Sequence, residues 1–203
     1  KQTKGRGRLG NKWSSPPGNI YCSTALVIDS KKINYFLFSM MSCIAIKHSL
    51  EHIGLKDINF KWPNDIYCNN RKIAGIIQES YLNSKNNKIL IIGVGINYSS
   101  SPKIKKYETT YIRKYIKNVS LKKYFEIYVN YFLNYYNEFF LKKNIFFINE
   151  FKKNIMFLGH NIKIKVNQKK IISGKFIGLK NDGSLILVKN KEKKIIYSGQ
   201  ILN

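Results

Sequence analysis

Two apolar, β-branched segments separated by a short polar stretch constrain the fold of this chain most strongly. The first, KIAGIIQESYL, runs from Lys72 to Leu82, and the second, ILIIGVGINY, runs from Ile89 to Tyr98. Each is too short to span a membrane as a helix, and β-branched residues favour strands. The polar residues 83–88 between them are typical of a hairpin connection. The chain is therefore expected to build its core around a sheet that contains this antiparallel pair.

Segments with other patterns surround this pair. Residues 33–53 are mostly apolar and are followed by a glycine, which predicts a buried helix. Ser120 is a candidate N-cap for an aromatic-rich amphipathic helix that runs to about Lys143, and a second short helix is expected near 146–154. Residues 20–28 predict one more buried strand. The expected fold class is α+β, a mixed, largely antiparallel sheet packed with helices.

The pattern changes after Leu158, where short strands joined by turns replace the helices. The segments NIKIKV, KIISGKFIGLK, GSLILVK and KKIIYSGQIL have strand character, and Asn181-Asp182-Gly183 is a strong turn signal. These features predict a small β-barrel-like module. The chain is therefore expected to divide into a first domain at residues 1–155 and a second at 156–203.

Lysine dominates the charge of the chain. The formal net charge is +25, and only 4 of the 36 basic residues are arginine. The lysines are scattered in ones and twos, and the chain also holds 31 isoleucines and 23 asparagines, which favours a composition bias over a polyanion-binding surface. A basic nucleic-acid-binding module is the alternative. It predicts tight, salt-sensitive binding to RNA or DNA and no nucleotide turnover.

The cysteines and the hydropathy exclude several other classes. The 3 cysteines form no CxxC pair and no paired cysteine–histidine motif, which argues against a zinc site or a disulfide framework and favours a reducing compartment. No apolar run approaches the roughly 18 residues that a membrane span needs. No metal site and no membrane partner are therefore expected.

Two of the four arginines lie in the glycine-rich segment KGRGRLG, residues 4–10. Glycines that alternate with arginines do not pack a core; they provide a mobile segment whose amides and guanidinium groups close on an anion. A planar guanidinium with several donors suits phosphate or carboxylate, so Arg6 and Arg8 are candidate anion-binding residues. The segment is neither a P-loop nor a dinucleotide fingerprint. The alternative is a disordered tail that contacts RNA non-specifically.

Three further motifs place polar residues at strand ends. In KWPND, Pro63 ends a strand and leaves Asp65 to orient a polar substrate group or meet Mg²⁺ beside a nucleotide, although a plain turn has the same pattern. In RKIAGI, Lys72 opens an apolar strand and either faces an anion or is solvated at a turn. In GVGIN, the glycines either mark a bulge or admit a ligand that Asn97 would contact.

The order and spacing of these motifs are more specific than any one of them. GRGRxGxxWxSP, KWPND, RKxAGI and GxGIN follow one another between Gln2 and Asn97, and this series closely resembles the biotin–protein ligase family. The C-terminal module resembles the SH3-like domain of that family. The resemblance implies a class II synthetase-like catalytic domain followed by an SH3-like β-barrel. Because these residues contain no helix-turn-helix pattern, it implies the monofunctional type, which lacks the N-terminal DNA-binding domain.

The resemblance also implies an activity. Family members condense biotin with ATP to give biotinyl-5′-adenylate and pyrophosphate, and then transfer biotin to one lysine of a biotin carboxyl carrier protein of acetyl-CoA carboxylase. ATP, biotin and Mg²⁺ are the implied ligands, a homodimer is possible, and no DNA is expected. The implied location is the cytoplasm, or an organelle stroma if a targeting segment precedes the chain.

The motif positions carry the implied roles residue by residue. Lys72 matches the lysine that bridges the biotin carboxylate and the α-phosphate, Arg8 lies near that phosphate, and Asp65 lies near Mg-ATP or the incoming lysine; these three are the implied catalytic residues. The implied biotin-binding residues are Gln2, Arg6, Gly7, Arg8, Lys72 and Gly75. The implied ATP-binding residues are Trp13, Ser14, Asn64 and Asn97.

Three departures from the family pattern stand out. A Ser-Thr-Asn segment that lines the biotin ureido pocket precedes GRGR in the family and is not among these residues, so we expect a preceding segment. Asn11 occupies a position where a further basic residue is expected. The aromatic that covers adenine is unassigned, with only Tyr107 near residues 106–110.

Two related functions are alternatives to biotin ligation. A biotin-responsive DNA-binding repressor requires a winged helix that these residues do not contain. A lipoate or octanoate ligase or transferase shares the fold but does not combine KWPND with RKxAGI.

Overall fold

The computed structural model of the chain describes residues 1–28, 34–84, 87–141, 144–167 and 169–202. Within them, two five-stranded sheets and three helices form the fold. The first sheet contains β1 (Ile20–Ile28), β2 (Ile58–Lys61), β3 (Asp65–Cys68), β4 (Arg71–Leu82) and β5 (Lys88–Ile96). The helices are α1 (Phe36–His52), α2 (Leu121–Leu141) and α3 (Asn144–Lys153). The second sheet contains β6 (Asn161–Lys165), β7 (Ile171–Leu179), β8 (Leu185–Lys189), β9 (Glu192–Ile196) and β10 (Gln200–Ile201).

The first sheet has the strand order β1-β5-β4-β3-β2, and all its neighbouring strands are antiparallel. The predicted hairpin is confirmed as β4 and β5, and the Asn83 side chain accepts a hydrogen bond from the Asn87 amide where the strands connect. Residues 85–86 of the predicted connection lie outside the described residues. The α+β class predicted from sequence is therefore confirmed.

The strand β1 differs from the buried strand that its sequence predicts. Among the described residues it pairs with β5 alone, so it is an edge strand, and between its two buried ends its side chains alternate between partly buried and exposed. Val27, for example, is 63% exposed. An apolar, β-branched composition therefore predicted the strand correctly. It did not distinguish an edge strand from a central strand, because both positions in a sheet favour the same residues.

The helix α1 lies in the middle of the core, and twelve of its side chains are buried. It packs against the strands of the first sheet as well as against α2 and α3, so almost every face of the helix is covered. Phe38 of α1 stacks on Phe139 of α2 with ring centroids 4.1 Å apart.

The predicted N-cap of α2 is also confirmed, since the Ser120 hydroxyl accepts a hydrogen bond from the Lys123 amide at 3.1 Å. The predicted start of α1 at 33 and the predicted extension of α2 to 143 lie outside the described residues. Among the helices described, none is long and apolar enough to cross a membrane.

The second sheet is the small C-terminal module, with the strand order β10-β6-β7-β8-β9. Its described strands pair as an antiparallel sheet with β9 and β10 at the two ends, rather than as a ring closed by hydrogen bonds. The turn predicted at 181–183 joins β7 and β8, and Gly183 has a φ of +82°.

This turn attaches the module to the first sheet. The buried indole of Trp62 donates a hydrogen bond to the Gly183 carbonyl at 3.0 Å, and the side-chain amide of Asn34 donates one to the backbone carbonyl of Asp182 at 2.6 Å. A Cβ added at Gly183 would lie 2.5 Å from the Phe36 ring and 2.9 Å from the Met40 methyl. Gly183 is therefore required both for the turn and for the contact between the module and α1.

A pair of glycine substitutions tests this contact. Gly183→Ala adds a left-handed backbone penalty of about 1–2 kcal/mol and an overlap with α1 that costs a further ~1–3 kcal/mol. Gly159 has a φ of +83° but no atom within 4 Å of an added Cβ, so Gly159→Ala carries only the backbone penalty. Urea unfolding should therefore show a clearly larger loss of stability for Gly183→Ala. Equal losses in the two variants would contradict the packing described for the turn.

Candidate active site

A row of facing residues across three strands forms the floor of the site. Asp65 of β3 pairs with Gly75 of β4, which pairs in turn with Gly95 of β5. The indole of Trp13 covers the two glycines: a Cβ added at Gly95 would lie 2.6 Å from the ring, and one added at Gly75 would lie 3.1 Å from it. Two glycines that face each other thus leave a flat surface for a ring, which a side chain at Gly95 would obstruct.

Lys72 and Asp65 form an ion pair beside this floor. The Lys72 Nζ lies 2.7 Å from the Asp65 Oδ1, and the two side chains are 10% and 20% exposed. The Lys72 ammonium also lies 5.3 Å from the centre of the Trp13 ring and 5.4 Å from that of Tyr107, so the cation is held between two aromatic faces. The strand position predicted for Lys72 therefore directs this lysine into the site rather than into solvent.

The segment around Tyr107 covers Lys72 through backbone pairing. The Lys72 amide donates to the Glu108 carbonyl, and the Thr110 amide donates to the Lys72 carbonyl, both at 2.9 Å. A salt bridge of 2.5 Å between Arg71 and Glu108 adds a side-chain contact at the same place. This pairing brings Tyr107, whose role the sequence left unassigned, to the site.

Arg8 reaches the site from the glycine-rich loop at the start of the chain. The loop reverses direction through hydrogen bonds from the Gly7 amide to the Asn11 carbonyl at 2.7 Å and from the Trp13 amide to the Gly5 carbonyl at 3.0 Å. Asn11, which replaces an expected basic residue, donates from its side chain to the Arg8 carbonyl at 2.8 Å and so stabilises the turn.

The Arg8 guanidinium is bound by neutral acceptors. It donates to the Ser198 hydroxyl at 2.9 Å, to the Gly199 carbonyl at 3.0 Å and, at 3.4 Å, to the Asn64 side-chain oxygen. Burial lowers the pKa of Arg8 from its usual value, and the negative charge of Asp65 opposes that shift. The group nevertheless stays protonated at neutral pH, because arginine has so high a pKa.

Arg6 lies on the outer side of the same loop. Its guanidinium forms a 2.6 Å salt bridge with Glu79, and the two side chains are 70% and 42% exposed. An exposed pair of this kind is weak and is easily exchanged for another partner. Gln2 is also close by, and its side-chain oxygen accepts a hydrogen bond from the Ser15 hydroxyl at 2.7 Å.

These elements enclose a cavity of about 450 Å³. The following candidate residues line it: Gln2, Arg6, Gly7, Arg8, Trp13, Asn64, Asp65, Lys72 and Gly75. Ser14 is exposed and does not line the cavity. Asn97 is buried at the end of β5, where its side-chain amide donates to the Thr110 carbonyl at 3.0 Å and its Oδ1 has no partner among the described residues.

Tyr107 and Gly93, which the sequence singled out without a firm role, also line the cavity. The structure adds Tyr21, Ser23 and Gln200, which sequence patterns did not identify. Tyr21 and Ser23 follow from the alternation of β1, because they lie opposite Gly95 and Gly93 in the sheet. Gln200 comes from the C-terminal module, and no local pattern indicates that it reaches a site formed by the first sheet.

The charges of the site favour an anionic ligand. The cavity is lined by five basic residues and two acidic ones; Lys72 is paired with Asp65 and Arg6 with Glu79, and the other basic residues are Lys4, Arg8 and Lys12. The partly enclosed cavity therefore carries a net positive charge beside two aromatic rings, which suits a phosphate or carboxylate attached to a flat, apolar group. Across the described ranges, no group of three or more His, Cys, Asp or Glu side chains has the arrangement of a metal site.

Comparison with known families identifies the class to which this fold and site belong. The model of the biotin/lipoate A/B protein ligase family matches residues 1–97, and that of the biotin protein ligase C-terminal domain matches residues 157–202. The first match places the chain among the biotin and lipoate ligases. With the second match added, the chain belongs to the biotin protein ligase family, as the motif series predicted.

Individual relatives agree with this assignment. The chain is 33% identical over 103 residues to the bifunctional ligase/repressor BirA of Bacillus subtilis, and this alignment covers 50% of the chain and 32% of BirA. It is 30% identical over 106 residues to the biotin–[acetyl-CoA-carboxylase] ligase of Paracoccus denitrificans, covering 50% of the chain and 43% of that protein. The aligned segment thus spans less than half the length of these curated relatives.

Solved structures match over nearly the whole chain. The biotin protein ligase of Aquifex aeolicus, in complex with biotin and ATP, is 28% identical and superposes with a TM-score of 0.83, covering 98% of this chain and 84% of that one. The biotin acetyl coenzyme A carboxylase synthetase of Helicobacter pylori has a TM-score of 0.60 over 96% of this chain and 82% of its own; at 20% identity it supports the fold alone.

The floor of the site is open to a spectroscopic test. Gly95→Ala places a methyl group where the Trp13 indole lies, so the ring should move away from the sheet. Trp62, the other tryptophan, is 1% exposed and distant from this substitution in the sheet order. The tryptophan emission of Gly95→Ala should shift to longer wavelength, and the shift should be absent when Trp13→Phe is also present. An emission spectrum identical to that of the wild type would contradict this position of the indole.

Proposed function

We propose that this protein activates biotin with ATP and transfers the biotinyl group to a lysine of a carrier protein. The observation that carries the proposal is the convergence of Arg8 and Lys72 on one cavity whose Asp65 carboxylate is already paired, in a chain of the biotin protein ligase family. A net positive cavity of this kind stabilises negative charge on a transferring phosphoryl group.

The reaction proceeds in two steps under this proposal. A carboxylate oxygen of biotin attacks the α-phosphorus of ATP, the bond from that phosphorus to the α,β-bridging oxygen breaks, and that oxygen leaves as part of pyrophosphate. The neutral amine of a carrier lysine then attacks the acyl carbon, the bond from that carbon to the biotin-derived oxygen breaks, and AMP leaves with that oxygen while the lysine nitrogen loses a proton as the amide forms. Neither step requires a covalent bond to the enzyme, so the residues act by positioning and by electrostatics.

Lys72 and Asp65 form the central pair. The Lys72 ammonium offsets the charge that accumulates when a carboxylate approaches a phosphate, which is the role implied by its place in RKxAGI. Asp65, 2.7 Å away, fixes the direction of that ammonium. Because both side chains are largely buried, the ammonium is oriented before the substrates arrive.

The remaining residues divide between the two substrates. Arg8, which the resemblance places near both biotin and the phosphate, is assigned here to the α-phosphate, because its guanidinium lies inside the cavity and its hydrogen-bond partners are neutral. Trp13 and Tyr107 are assigned to the adenine side, as two rings that lie around Lys72. Asn97 is buried and does not line the cavity, so its assignment to ATP rests on its place in GxGIN alone. Gln2, Arg6, Gly7 and Gly75 remain assigned to biotin.

Mg²⁺ is proposed to enter with ATP rather than to occupy a resident protein site. Of the carboxylates that line the cavity, Asp65 is paired with Lys72 and Glu79 with Arg6. This donor set suits a cation that keeps several waters and is held mainly by the phosphates of the nucleotide. Mg²⁺ would then supply charge neutralisation on the leaving pyrophosphate.

The acceptor is proposed to be the biotin carboxyl carrier protein of acetyl-CoA carboxylase. The support is the name of the Paracoccus denitrificans relative, together with the family membership of this chain. A compartment with reduced thiols, the cytoplasm or an organelle stroma, agrees with the free state of Cys22, Cys43 and Cys68. A homodimer stays a prediction of the family resemblance.

Biotin-dependent exchange of pyrophosphate into ATP tests the first step. The wild type should catalyse exchange only when biotin is present. Arg8→Ala and Lys72→Ala should each lower the rate by about 100-fold or more, because each removes a group that stabilises charge in the transition state. Arg113→Ala and Lys122→Ala, which change exposed residues away from the cavity, are matched controls and should keep the wild-type rate. Exchange that proceeds without biotin, or that survives both cavity substitutions, would refute the assignment.

The charge of the protein predicts the salt dependence of the second step. The formal net charge of +25 should accelerate encounter with a carrier that is acidic around its target lysine. The second-order rate of transfer should therefore fall about tenfold as ionic strength rises from low salt to physiological values and above. Transfer of the same adenylate to hydroxylamine, a small uncharged acceptor, is the control and should change much less. An equal dependence for both acceptors would remove the role of surface charge.

A further inference from the structure

The C-terminal module contributes directly to the cavity of the first sheet. Its segment between β9 and β10 supplies Ser198 and Gly199, which accept hydrogen bonds from the Arg8 guanidinium, and Gln200, which lines the cavity itself. Ser198 and Arg8 are 190 positions apart in the chain, so only the docking of the module brings them together.

The geometry of this segment is fixed by the module. Gly199 is buried, and a Cβ added to it would lie 2.5 Å from the Ile164 side chain and 3.0 Å from the Lys165 carbonyl. The next residue, Gln200, pairs with Lys165 as β10 adds to β6. The Gly199 carbonyl and the adjacent Ser198 hydroxyl are therefore held by packing in the second sheet, and they present two acceptors to Arg8 at a defined place.

The chemistry of these acceptors leaves the charge of Arg8 available. A hydroxyl and a carbonyl orient a guanidinium without neutralising it, whereas a carboxylate would compete with a bound phosphate. The Asp65 carboxylate, whose charge acts on Arg8, is paired with Lys72 at 2.7 Å. Both terminal nitrogens of the guanidinium are hydrogen-bonded, one to Gly199 and Asn64 and the other to Ser198. The guanidinium is therefore restrained, although the rest of its loop consists of glycines and exposed residues. Restraint of this kind reduces the entropy lost when an anion binds.

We propose that Ser198 is a positioning residue, which acts with the Gly199 carbonyl to hold Arg8 in the orientation that binds the nucleotide phosphate. The proposal rests on the proposed function, since it concerns the same cavity and the same arginine. It assigns the C-terminal module a part in nucleotide affinity that is separate from its part in stability. Ser198 itself touches Arg8 and not the reacting atoms.

Substitution of Ser198 tests this role through the two substrates separately. Ser198→Ala should raise the KM for ATP in the exchange reaction by about tenfold, the effect of one hydrogen bond to a charged group. The KM for biotin should change less than twofold, because its residues are unaffected. Ser198→Thr keeps the hydroxyl and should restore most of the affinity. Ser173→Ala, a serine on β7 of the same module, is the matched control and should leave both constants unchanged.

A double substitution separates positioning from damage to the module. If Ser198 acts through Arg8, the effect of Ser198→Ala on ATP affinity should vanish in an Arg8→Ala background. Ser198→Ala should also leave the thermal unfolding midpoint at the wild-type value. Additive effects of the two changes, or equal increases in the KM for ATP and the KM for biotin, would overturn the proposal.

Direct titration of ATP binding gives the same comparison without turnover. A wild type that binds ATP but exchanges no pyrophosphate would refute the proposed function, and an unchanged ATP affinity in Ser198→Ala would refute the positioning role.

Discussion

The pairing of Asp65, Gly75 and Gly95 across three strands is the constraint on which the site depends. This register places a carboxylate at one end of the row and two residues without side chains beside it, so that an indole lies flat on the sheet. Lys72, three residues before Gly75, then meets Asp65 at 2.7 Å beside the aromatic rings of Trp13 and Tyr107. A slip of one residue between β4 and β5 would move both glycines to unlike partners and remove the floor.

One short segment serves both the fold and the site. Within KWPND, Trp62 binds the turn of the C-terminal module, while Asn64 and Asp65 face the cavity. The Asn64 side chain donates to the Ile76 carbonyl and accepts from Arg8, which links the segment to β4 and to the glycine-rich loop. The docking of the module and the geometry of the cavity are therefore coupled through four consecutive residues, and changes in either are expected to affect the other.

Sequence patterns predicted the elements of the fold better than the contacts between them. The hairpin of β4 and β5, the N-cap at Ser120 and the turn at Gly183 depend on neighbouring residues, so local chemistry was sufficient. The edge position of β1 was not predictable, because its apolar composition suits a central strand equally well.

The same limit applies to the site. Motif spacing indicated Arg8, Asp65 and Lys72, and the structure brings these three together in one cavity. Tyr107 reaches the site only because its segment pairs with the start of β4, and Ser198 only because a separate sheet docks nearby. Contacts between residues so far apart in the chain are set by tertiary packing, and no local pattern encodes them.

Isotope transfer from biotin to AMP tests the central claim most directly. If the cavity promotes attack of the biotin carboxylate on the α-phosphate, the oxygen that joins them originates from biotin and leaves with AMP. Biotin labelled with ¹⁸O in its carboxylate, incubated with ATP and the carrier domain, should therefore yield AMP that contains one ¹⁸O atom by mass spectrometry. Unlabelled AMP, or ADP as the nucleotide product, would contradict the acyl-adenylate route and with it the roles assigned to Arg8 and Lys72.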